Sequence, residues 1–530
     1  MRDFYKPNRS AAVSANGMAA TSHPASTLAA LDVLRAGGNA MDAAVAACAV
    51  QCVVEPGSTG IGGDCFALYS KKGSSDIVAY NGSGRAPAAA TAEWYNSRGF
   101  TEIPRQSPHA ATVPGAVNAW ETLIRDHGTQ SLGSLLQPAI NYARNGYAIT
   151  PRVAHDFKSG EALLGATEAG RTIYLKDGKA PKLGEIHSQP LLAATMEAIA
   201  KDGAKAFYQG PIAADSVSFL QSLGGLHTEA DFAEANGEYV KPIKTSFRGH
   251  DIYECPPNGQ GIIALMILNI LSGFEAKGDP LSPERLHIEI EATRLAYSVR
   301  DAYLADPAKA DVPVEWLLSK ELADQLRAQI DLSRPIEKLP AFAPPKHADT
   351  VYICVVDKDR NAVSFINSLF AGFGSGLVSP KTGIVFHNRA QSFVLKPDHP
   401  NVIAPRKRPL HTIIPGMAVK DGKAVMPFGV MGGHYQAIGH AHLISKIFDY
   451  GLDPQSAIDL PRVFPRPGAD SVDIEPTLPA DTQAALEKRG FRLGPPPTPI
   501  GGAQAIRIDW ENGTLTGGSD PRKDGCALGY

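Results

Sequence analysis

The sequence predicts an α+β protein in which sheets and helices are stacked in layers. Three observations favour this class: Ala-rich helical patterns near the N-terminus, mostly helical sequence from about 115 to 335, and a change to strand-like periodicity at Thr350. Strands, helices and strands in this order are typical of sheets covered by helices. At 530 residues the chain exceeds one ordinary core, so we expect several domains or one large layered unit with a removable segment.

The N-terminal elements are two predicted helices and a strand. Pro24 to Arg35 reads as an Ala/Leu-rich helix that ends at Gly37-Gly38, a pair suited to a left-handed C-cap. A second helix is predicted from about Ala40 to Cys52, and the Gly-rich turn at 56–64 leads into an apolar strand at 65–69. Because this turn matches neither a P-loop nor a dinucleotide-binding motif, a structural role is favoured over a ligand contact.

The second half of the chain changes character at a Pro-rich segment. Residues 334–349 contain four prolines and indicate an extended, poorly packed tail. Thr350 to Asp357 and Ala362 to Leu369 then have the pattern of a hairpin. The other predicted elements are helices at Glu284–Ala305, Trp316–Ile330, Tyr435–Tyr450 and Asp481–Arg489, and strands at Asp251–Cys255 and Gly383–Phe386.

Composition excludes several classes of function. The net charge of −3 gives no basic excess for nucleic acid, so a small neutral or anionic ligand is more plausible. The six cysteines form no C-x-x-C pair, which argues against a zinc ribbon or a disulfide scaffold. The N-terminus lacks a signal-like apolar region and no long apolar run occurs, so we expect a soluble, cytoplasmic protein without a membrane partner.

Standard catalytic motifs are absent, and one threonine stands out instead. There is no H-E-x-x-H, G-x-S-x-G or Walker sequence, so zinc protease, α/β-hydrolase and NTPase functions lose their main support. A threonine that opens a strand, as Thr350 does, is ordinarily a simple β-former. If the bond after Asp349 is cut, however, Thr350 gains a free α-amine beside its hydroxyl, which places a nucleophile and its base on one residue.

The segment from Thr350 to Val363 resembles the small-subunit start of the γ-glutamyltransferase family. These are N-terminal-nucleophile hydrolases that are made as precursors and cut themselves, and Thr350 falls at their nucleophile. Weaker family-like blocks follow in the same order along nearly the whole chain: Ala36–Ala44, Gly60–Asp64, Val113–Gly115, Gln137–Ala139, Pro256–Gly261, Arg408–Leu410, Gly432-Gly433 and Ser519–Arg522.

This resemblance implies a four-layer αββα sandwich and a defined division of the chain. Cleavage between Asp349 and Thr350 would give a large segment, 1–349, ending in the Pro-rich tail, and a small segment, 350–530. Together they would form one αββα unit, a heterodimer of self-generated subunits and possibly a dimer of these. Neither a cofactor nor a metal is implied.

The resemblance also assigns roles around Thr350. Gly432 and Gly433 match a paired-glycine loop whose backbone N–H groups stabilise an oxyanion, although an ordinary turn would look the same. Ser368 occupies the position of a second hydroxyl that orients the nucleophile. His411-Thr412 replaces a Ser-Ser pair that contacts the carboxylate and α-amine region of the substrate.

Departures from the family pattern bear on the substrate. Where the family holds the α-ammonium of a γ-glutamyl donor with amides and an acid, this chain has Phe370, Arg389 and Ser392. A guanidinium attracts carboxylates and repels an ammonium. The carboxylate-binding arginine of the family is displaced by two residues to Arg85, so Arg85 is expected either in the pocket or in a surface ion pair.

These observations support one leading hypothesis and two alternatives. The leading one is a self-processing amidohydrolase acting on a small carboxylate-bearing amide, as in the branch that includes oxamate amidohydrolase and cephalosporin-acylase-like members. A connection between Phe393 and Arg408 that is shorter than the family's lid favours this branch. The alternatives are a γ-glutamyltransferase or glutathione hydrolase, and an uncleaved, non-catalytic binding protein.

Overall fold

A computed structural model describes residues 9–337, 339, 349–469 and 471–530. The strands, in chain order, are β1 (Ala12–Ser14), β2 (Met18–Ala20), β3 (Asp64–Ser70), β4 (Ile77–Gly82), β5 (Tyr147–Ala148), β6 (Ile186–His187), β7 (Glu238–Val240), β8 (Ile243–Phe247), β9 (His250–Glu254), β10 (Asp349–Val356), β11 (Ala362–Phe370), β12 (Gly416–Lys420), β13 (Lys423–Met431), β14 (Val463–Pro465), β15 (Ser471–Ile474), β16 (Arg492–Gly494), β17 (Gly502–Asp509), β18 (Thr514–Ser519) and β19 (Ala527–Gly529).

The helices fall mainly in the first two thirds of the chain. In order they are α1 (Pro24–Arg35), α2 (Ala40–Val54), α3 (Ala92–Asn96), α4 (Ala116–His127), α5 (Leu132–Leu135), α6 (Gln137–Asn145), α7 (Pro151–Gly165), α8 (Glu168–Tyr174), α9 (Pro190–Asp202), α10 (Ala204–Tyr208), α11 (Pro211–Ser222), α12 (Glu229–Ala233), α13 (Gly261–Leu271), α14 (Pro283–Tyr303), α15 (Val314–Leu317), α16 (Lys320–Arg327), α17 (Gln436–Phe448), α18 (Pro454–Asp459) and α19 (Ala480–Lys488).

Two seven-stranded antiparallel sheets form the centre of the molecule. Sheet I has the order β1-β18-β17-β13-β12-β9-β8, and sheet II has the order β19-β2-β10-β11-β3-β4-β7. The sheets face each other through a buried apolar layer to which Phe66, Tyr352 and Ile366 of sheet II and Met417 and Ile506 of sheet I contribute. This arrangement is a sandwich of two sheets.

Helices cover the outer face of each sheet. The Ala-rich α2 packs on β10 and β11 of sheet II, and all of its residues are buried because its small side chains allow close approach on every side. A capping box of Asn39 and Asp42 fixes its start. The apolar α13 and α17 pack on β8 and β13 of sheet I. The predicted four-layer αββα, α+β architecture is therefore confirmed.

Two predicted elements were wrong. Gly383–Phe386 is not a strand, because the chain there closes a tight turn in which the Gly383 amide donates to Ser379 and Gly383 has a φ of +69°. Trp316–Ile330 is not one helix but two, because the Ser319 side chain caps a new helix by accepting from the Leu322 amide. Most of the predicted Pro-rich tail, residues 338 and 340–348, lies outside the described residues.

No helix within the described ranges is both long and apolar enough to span a bilayer.

A buried charge network joins the helices over sheet I. Glu289 on α14 accepts hydrogen bonds from Arg285 Nε at 2.6 Å and from Lys446 Nζ of α17 at 2.7 Å. Burial alone would raise the pKa of Glu289, but the Lys446 and Arg285 charges outweigh it and hold this pKa well below its usual value. The carboxylate is therefore ionised at neutral pH and compensates two buried cations.

Replacing Glu289 with glutamine should destabilise the fold, because it leaves Lys446 without the carboxylate it contacts and takes from Arg285 one of its two, the other being Asp449. We expect the free energy of unfolding, from urea titration at pH 7, to fall by about 3–5 kcal/mol. The depressed pKa makes this stabilisation fully present above the unfolded-state value of about 4.3, and it is lost as the pH falls through the folded pKa. The matched change Glu161→Gln, which removes a solvent-screened pair with Lys158, should alter stability far less. Equal effects of the two changes would refute the network's role.

Candidate active site

Thr350 lies at an irregularity near the start of β10, an inner strand of sheet II. Strand β10 pairs with β2 on one side and β11 on the other, and its register with β11 shifts between Asp349 and Val351. A β-bulge of this kind re-aims a side chain and is common beside active sites. Thr350 is fully buried at this point.

Two side chains contact the Thr350 hydroxyl. Its Oγ1 lies 3.1 Å from Ser368 Oγ and 3.4 Å from Gln436 Nε2, which donates to it. Ser368 is on β11, and its Oγ accepts the Phe370 amide at 2.8 Å. The structure thus brings together Thr350 and the second hydroxyl as expected, and it adds an amide from the first residue of α17.

The glycine pair forms the turn between β13 and α17. Gly432 has a φ of +117°, and a Cβ there would lie 2.8 Å from the Cα of Gly501, so only glycine fits. Among the described residues, neither the Gly432 nor the Gly433 amide donates a hydrogen bond. Gly433 is buried and Gly432 half-buried, and since buried amides usually have an acceptor, the Gly433 N–H is an exception to that rule.

A buried glutamine ties the glycine loop to the residues opposite it. Gln260 Nε2 donates to the Gly433 carbonyl at 2.8 Å and to the Thr412 carbonyl at 2.9 Å. The Gln436 Oε1 accepts the amide of Ile414 at 3.1 Å. Thr350, the glycine pair and Thr412 therefore belong to one hydrogen-bonded unit.

Arg389 places a buried positive charge beside the nucleophile. Its Nη1 donates to Thr412 Oγ1 at 2.8 Å and its Nη2 to Ser368 Oγ at 3.4 Å, while the guanidinium lies 4.2 Å from the centre of the Phe370 ring. Its Nε has no hydrogen-bond partner in the part of the chain that the structure describes. Burial lowers the pKa of Arg389 to about 9 against the opposing effect of the Asp64 charge, so Arg389 is cationic at neutral pH, and the hydroxyls that accept from it among the described residues are neutral.

Phe370 adopts an uncommon backbone conformation to make this contact. Its φ is +79°, which is rare for a bulky side chain and marks a local strain that surrounding structure must support. The ring stacks on the Arg389 guanidinium, an arrangement that suits arginine better than lysine.

His411 faces a buried carboxylate. Its Nε2 lies 3.0 Å from Asp64 Oδ2, and the other oxygen of Asp64 accepts the amides of Gly84 and Gly115. Burial and the Arg389 charge lower the pKa of His411 to about 3, so the imidazole is neutral and donates to Asp64. Burial would raise the pKa of Asp64, but His387, His411 and Arg389 lower it to about 2.

Two residues predicted for the site make no direct contact with this unit. Ser392 is half-buried and its hydroxyl has no partner among the described residues. Arg85 lies 3.8 Å from Glu238 and 4.0 Å from Asp306 with 30% of its side chain exposed, and it lines a separate cavity. Of its two expected roles, the structure shows the ion pair.

Sequence reasoning missed Asp64, Gln260, Gln436 and His387. Asp64 and Gln260 lie within family-like blocks, at 60–64 and 256–261, and these blocks were the only indication of their importance. Gln436 and His387 lie in no such block. Nothing in the local sequence distinguishes them from other buried polar residues.

Two sheets face each other between layers of helices, and a buried threonine near the start of an inner strand is linked through hydrogen bonds to a glycine turn. This combination of features is typical of the N-terminal-nucleophile class of hydrolases. A family model described as Gamma-glutamyltranspeptidase matches residues 26–530. The chain belongs to this family of enzymes that act on amide bonds.

Individual relatives are similar over nearly the full length. The chain is 39% identical over 506 residues to the glutathione hydrolase-like YwrD proenzyme of Bacillus subtilis, covering 94% of this chain and 95% of the relative. It is 35% identical over 531 residues to the oxamate amidohydrolase proenzyme of Klebsiella pneumoniae, covering 98% and 99%. The crystal structure of a cephalosporin acylase from Bacillus halodurans superposes with a TM-score of 0.93 at 39% identity, covering 100% of this chain and 98% of that one.

Proposed function

We propose that this protein is a self-processing amidohydrolase that cleaves a small carboxylate-bearing amide through an acyl-enzyme on Thr350. The observation that supports it most directly is the placement of the Thr350 hydroxyl between Ser368 and Gln436, next to the buried cation Arg389. A nucleophile, an orienting hydroxyl and a carboxylate-binding group are the parts that such a reaction needs.

The first step is cleavage of the chain itself. The Thr350 hydroxyl attacks the carbonyl carbon of Asp349, the C–N bond breaks, and the peptide amide becomes an ester with a free α-amine on Thr350. Water then hydrolyses the ester, which leaves a carboxylate on Asp349 and returns the hydroxyl. The register shift at this bond supports the step, because it interrupts the regular pairing of β10 with β11 beside Thr350. Relatives named as proenzymes are consistent with it.

The mature enzyme repeats the attack on an external amide. The α-amine of Thr350, with an ordinary pKa near 8, takes the hydroxyl proton as Oγ1 bonds to the amide carbon and passes it to the departing amine. The Gly432 and Gly433 amides donate to the oxyanion, a contribution of roughly 3–4 kcal/mol for one good donor. Water hydrolyses the resulting ester and releases the acid.

Charge at the site selects the acyl group. Arg389 offers a guanidinium to a substrate carboxylate, with Thr412 as a neighbouring hydroxyl. Phe370 stacks on Arg389 and presents no group that accepts a hydrogen bond from an ammonium. An acyl group with a carboxylate and no α-amine should therefore bind best, and a relative named for the amide of a small acid agrees with this class.

Two 4-nitroanilides that differ only in the α-amino group test the proposal. We expect glutaryl 4-nitroanilide to be hydrolysed with a higher kcat/KM than γ-glutamyl 4-nitroanilide, by about tenfold or more, and mass spectrometry of the purified protein to show fragments 1–349 and 350–530. The opposite preference would favour γ-glutamyl hydrolysis, which the name of the Bacillus subtilis relative suggests. An intact chain that hydrolyses neither amide would instead support a non-catalytic binding protein.

A further inference from the structure

The residue after the glycine pair, His434, carries a hydrogen-bond donor that the reaction proposed for Thr350 does not use. The Nδ1 atom of His434 lies 2.9 Å from Arg300 Nη1. A guanidinium has donors and no acceptor, so Nδ1 accepts this bond and the ring proton of the neutral imidazole is on Nε2. The contact with Arg300 therefore makes Nε2–H the donor of His434.

Several contacts hold Arg300 and His434 in this arrangement. Arg300 Nε donates to Asp301 Oδ1 at 2.8 Å, and Nη1 also donates to Gln260 Oε1 at 3.3 Å. The Arg300 guanidinium lies 4.5 Å from the centre of the Tyr297 ring, and the Tyr297 hydroxyl donates to the His434 carbonyl. Both the ring and the backbone of His434 are thus fixed by residues of α14.

The donor itself is buried and unused. His434 Nε2 has no hydrogen-bond partner among the residues that the structure describes. Burial and the charges of Arg300 and Arg389 hold the pKa of His434 well below its usual value, so the ring is neutral at neutral pH. A buried donor without an acceptor is unfavourable. We therefore expect a bound molecule to supply the acceptor.

The surroundings of the His434 ring indicate which acceptor this is. The ring stands edge-on to Phe370, with the ring centres 6.3 Å apart, and the Arg389 guanidinium packs on the same phenylalanine. This contact favours the acyl carboxylate assigned to Arg389 over the oxyanion, which the glycine amides serve. A carboxylate has two oxygens and about four acceptor positions, so it can accept from both side chains.

We propose that His434 Nε2–H is a second donor to the acyl carboxylate of the substrate, and that Arg300 is the residue that positions it. The inference rests on the proposed function and deepens it. Arg389 supplies the charge that attracts the carboxylate, and His434 supplies a neutral donor in a fixed direction. The second donor makes recognition depend on the orientation of the carboxylate as well as on its charge.

Two substitutions of similar polarity isolate the donor. In His434→Asn the side-chain oxygen can still accept from Arg300, but the amide ends short of the Nε2 position, which the longer side chain of His434→Gln can reach with an N–H. We expect His434→Asn to lower kcat/KM for glutaryl 4-nitroanilide by about tenfold or more, mainly through KM. Butyryl 4-nitroanilide, which lacks the carboxylate, should be hydrolysed nearly as before, and His434→Gln should recover part of the loss.

A histidine outside the site provides the matched control. His250 is on β9, where its ring stacks on Phe448. His250→Asn should change the hydrolysis of neither anilide.

Nitrogen NMR of the wild-type protein tests the donor without any activity measurement. With ¹⁵N-labelled histidine, the ring signals that disappear in His434→Gln belong to His434. We expect a neutral ring protonated at Nε2 at pH 7, and a shift of the Nε2 signal on addition of glutarate, the product acid, but not of butyrate. A ring protonated at Nδ1 or at both nitrogens, or no shift at saturating glutarate, would overturn the proposal.

The kinetic outcomes separate this inference from the proposed function. An unchanged kcat/KM for glutaryl 4-nitroanilide in His434→Asn would overturn the role of His434 while amide hydrolysis stands. An equal fall for both anilides would also overturn it, since a contact with the carboxylate cannot affect a substrate that has none. Failure of the wild-type protein to hydrolyse either anilide would count against the proposed function itself.

Discussion

Thr350→Ala should give a protein that neither cuts itself nor hydrolyses amides. The alanine lacks the hydroxyl that attacks Asp349, so no α-amine is released and the later chemistry loses both its nucleophile and its base. We expect a single band of full length and a fall in kcat of at least about a thousandfold, since residues that act as one catalytic unit fail together. Gel electrophoresis and hydrolysis of glutaryl 4-nitroanilide measure the two effects.

Two companion variants show whether the loss is chemical. Thr350→Ser keeps a hydroxyl and should cut itself and turn over, more slowly, because serine lacks the methyl group that restricts the side-chain rotamer. Thr516→Ala removes a threonine from β18, a strand of sheet I remote in sequence from the bulge, and should change neither property. Activity in an uncut Thr350→Ala protein would refute the mechanism.

Arg389→Met should remove most of the preference for acids with a free carboxylate. Methionine keeps an apolar stem against Phe370 but has no charge, so the substrate loses a charge-assisted pair worth about 1.5–3 kcal/mol. The kcat/KM for glutaryl 4-nitroanilide, compared at a pH above the acidic limb of each profile, should fall by about 10–100-fold, whereas that for uncharged butyryl 4-nitroanilide should change little. Arg389→Lys should retain part of the preference, because it keeps the charge without the planar guanidinium.

The same substitution should move the pH dependence of kcat/KM in a defined direction. Arg389 donates to Ser368, which contacts Thr350, so its charge lies close to the new α-amine and disfavours the ammonium form. Without that charge the pKa of the α-amine rises, and the acidic limb of the profile moves to higher pH. A profile that stays in place while the substrate preference falls would show that Arg389 only binds substrate.

Much of the fold could be predicted from local sequence. The Ala-rich pattern before Gly37-Gly38 and the alternation after Thr350 correspond to α1 and to the β10–β11 hairpin in the structure, because helix and strand periods are local properties. Gly383–Phe386 failed because four apolar or small residues fit a strand and a turn equally well. The packing of sheet I on sheet II depends on contacts between distant segments, which periodicity does not report.

The candidate site was predictable where a resemblance covered it and not elsewhere. The positions of Thr350, Ser368 and the glycine pair came from the family pattern. Gln436 became visible only in three dimensions, because its contact with Thr350 spans 86 residues of sequence. Arg85 shows that a resemblance can also mislead. It is displaced from the family motif and forms an ion pair with Glu238, a partner that is distant in sequence and that no local pattern predicts.

The order of strands in the two sheets has a consequence for the cleaved molecule. In sheet II, β2 from the first segment lies between β19 and β10 of the second, and in sheet I, β1 and β9 flank the block β18-β17-β13-β12. Because strands of the two polypeptides alternate in both sheets, the polypeptides cannot dissociate unless the hydrogen bonds between strands break in both sheets. Self-cleavage would thus yield an obligate 1:1 complex of the two segments, which stays associated on dilution and dissociates only in denaturant.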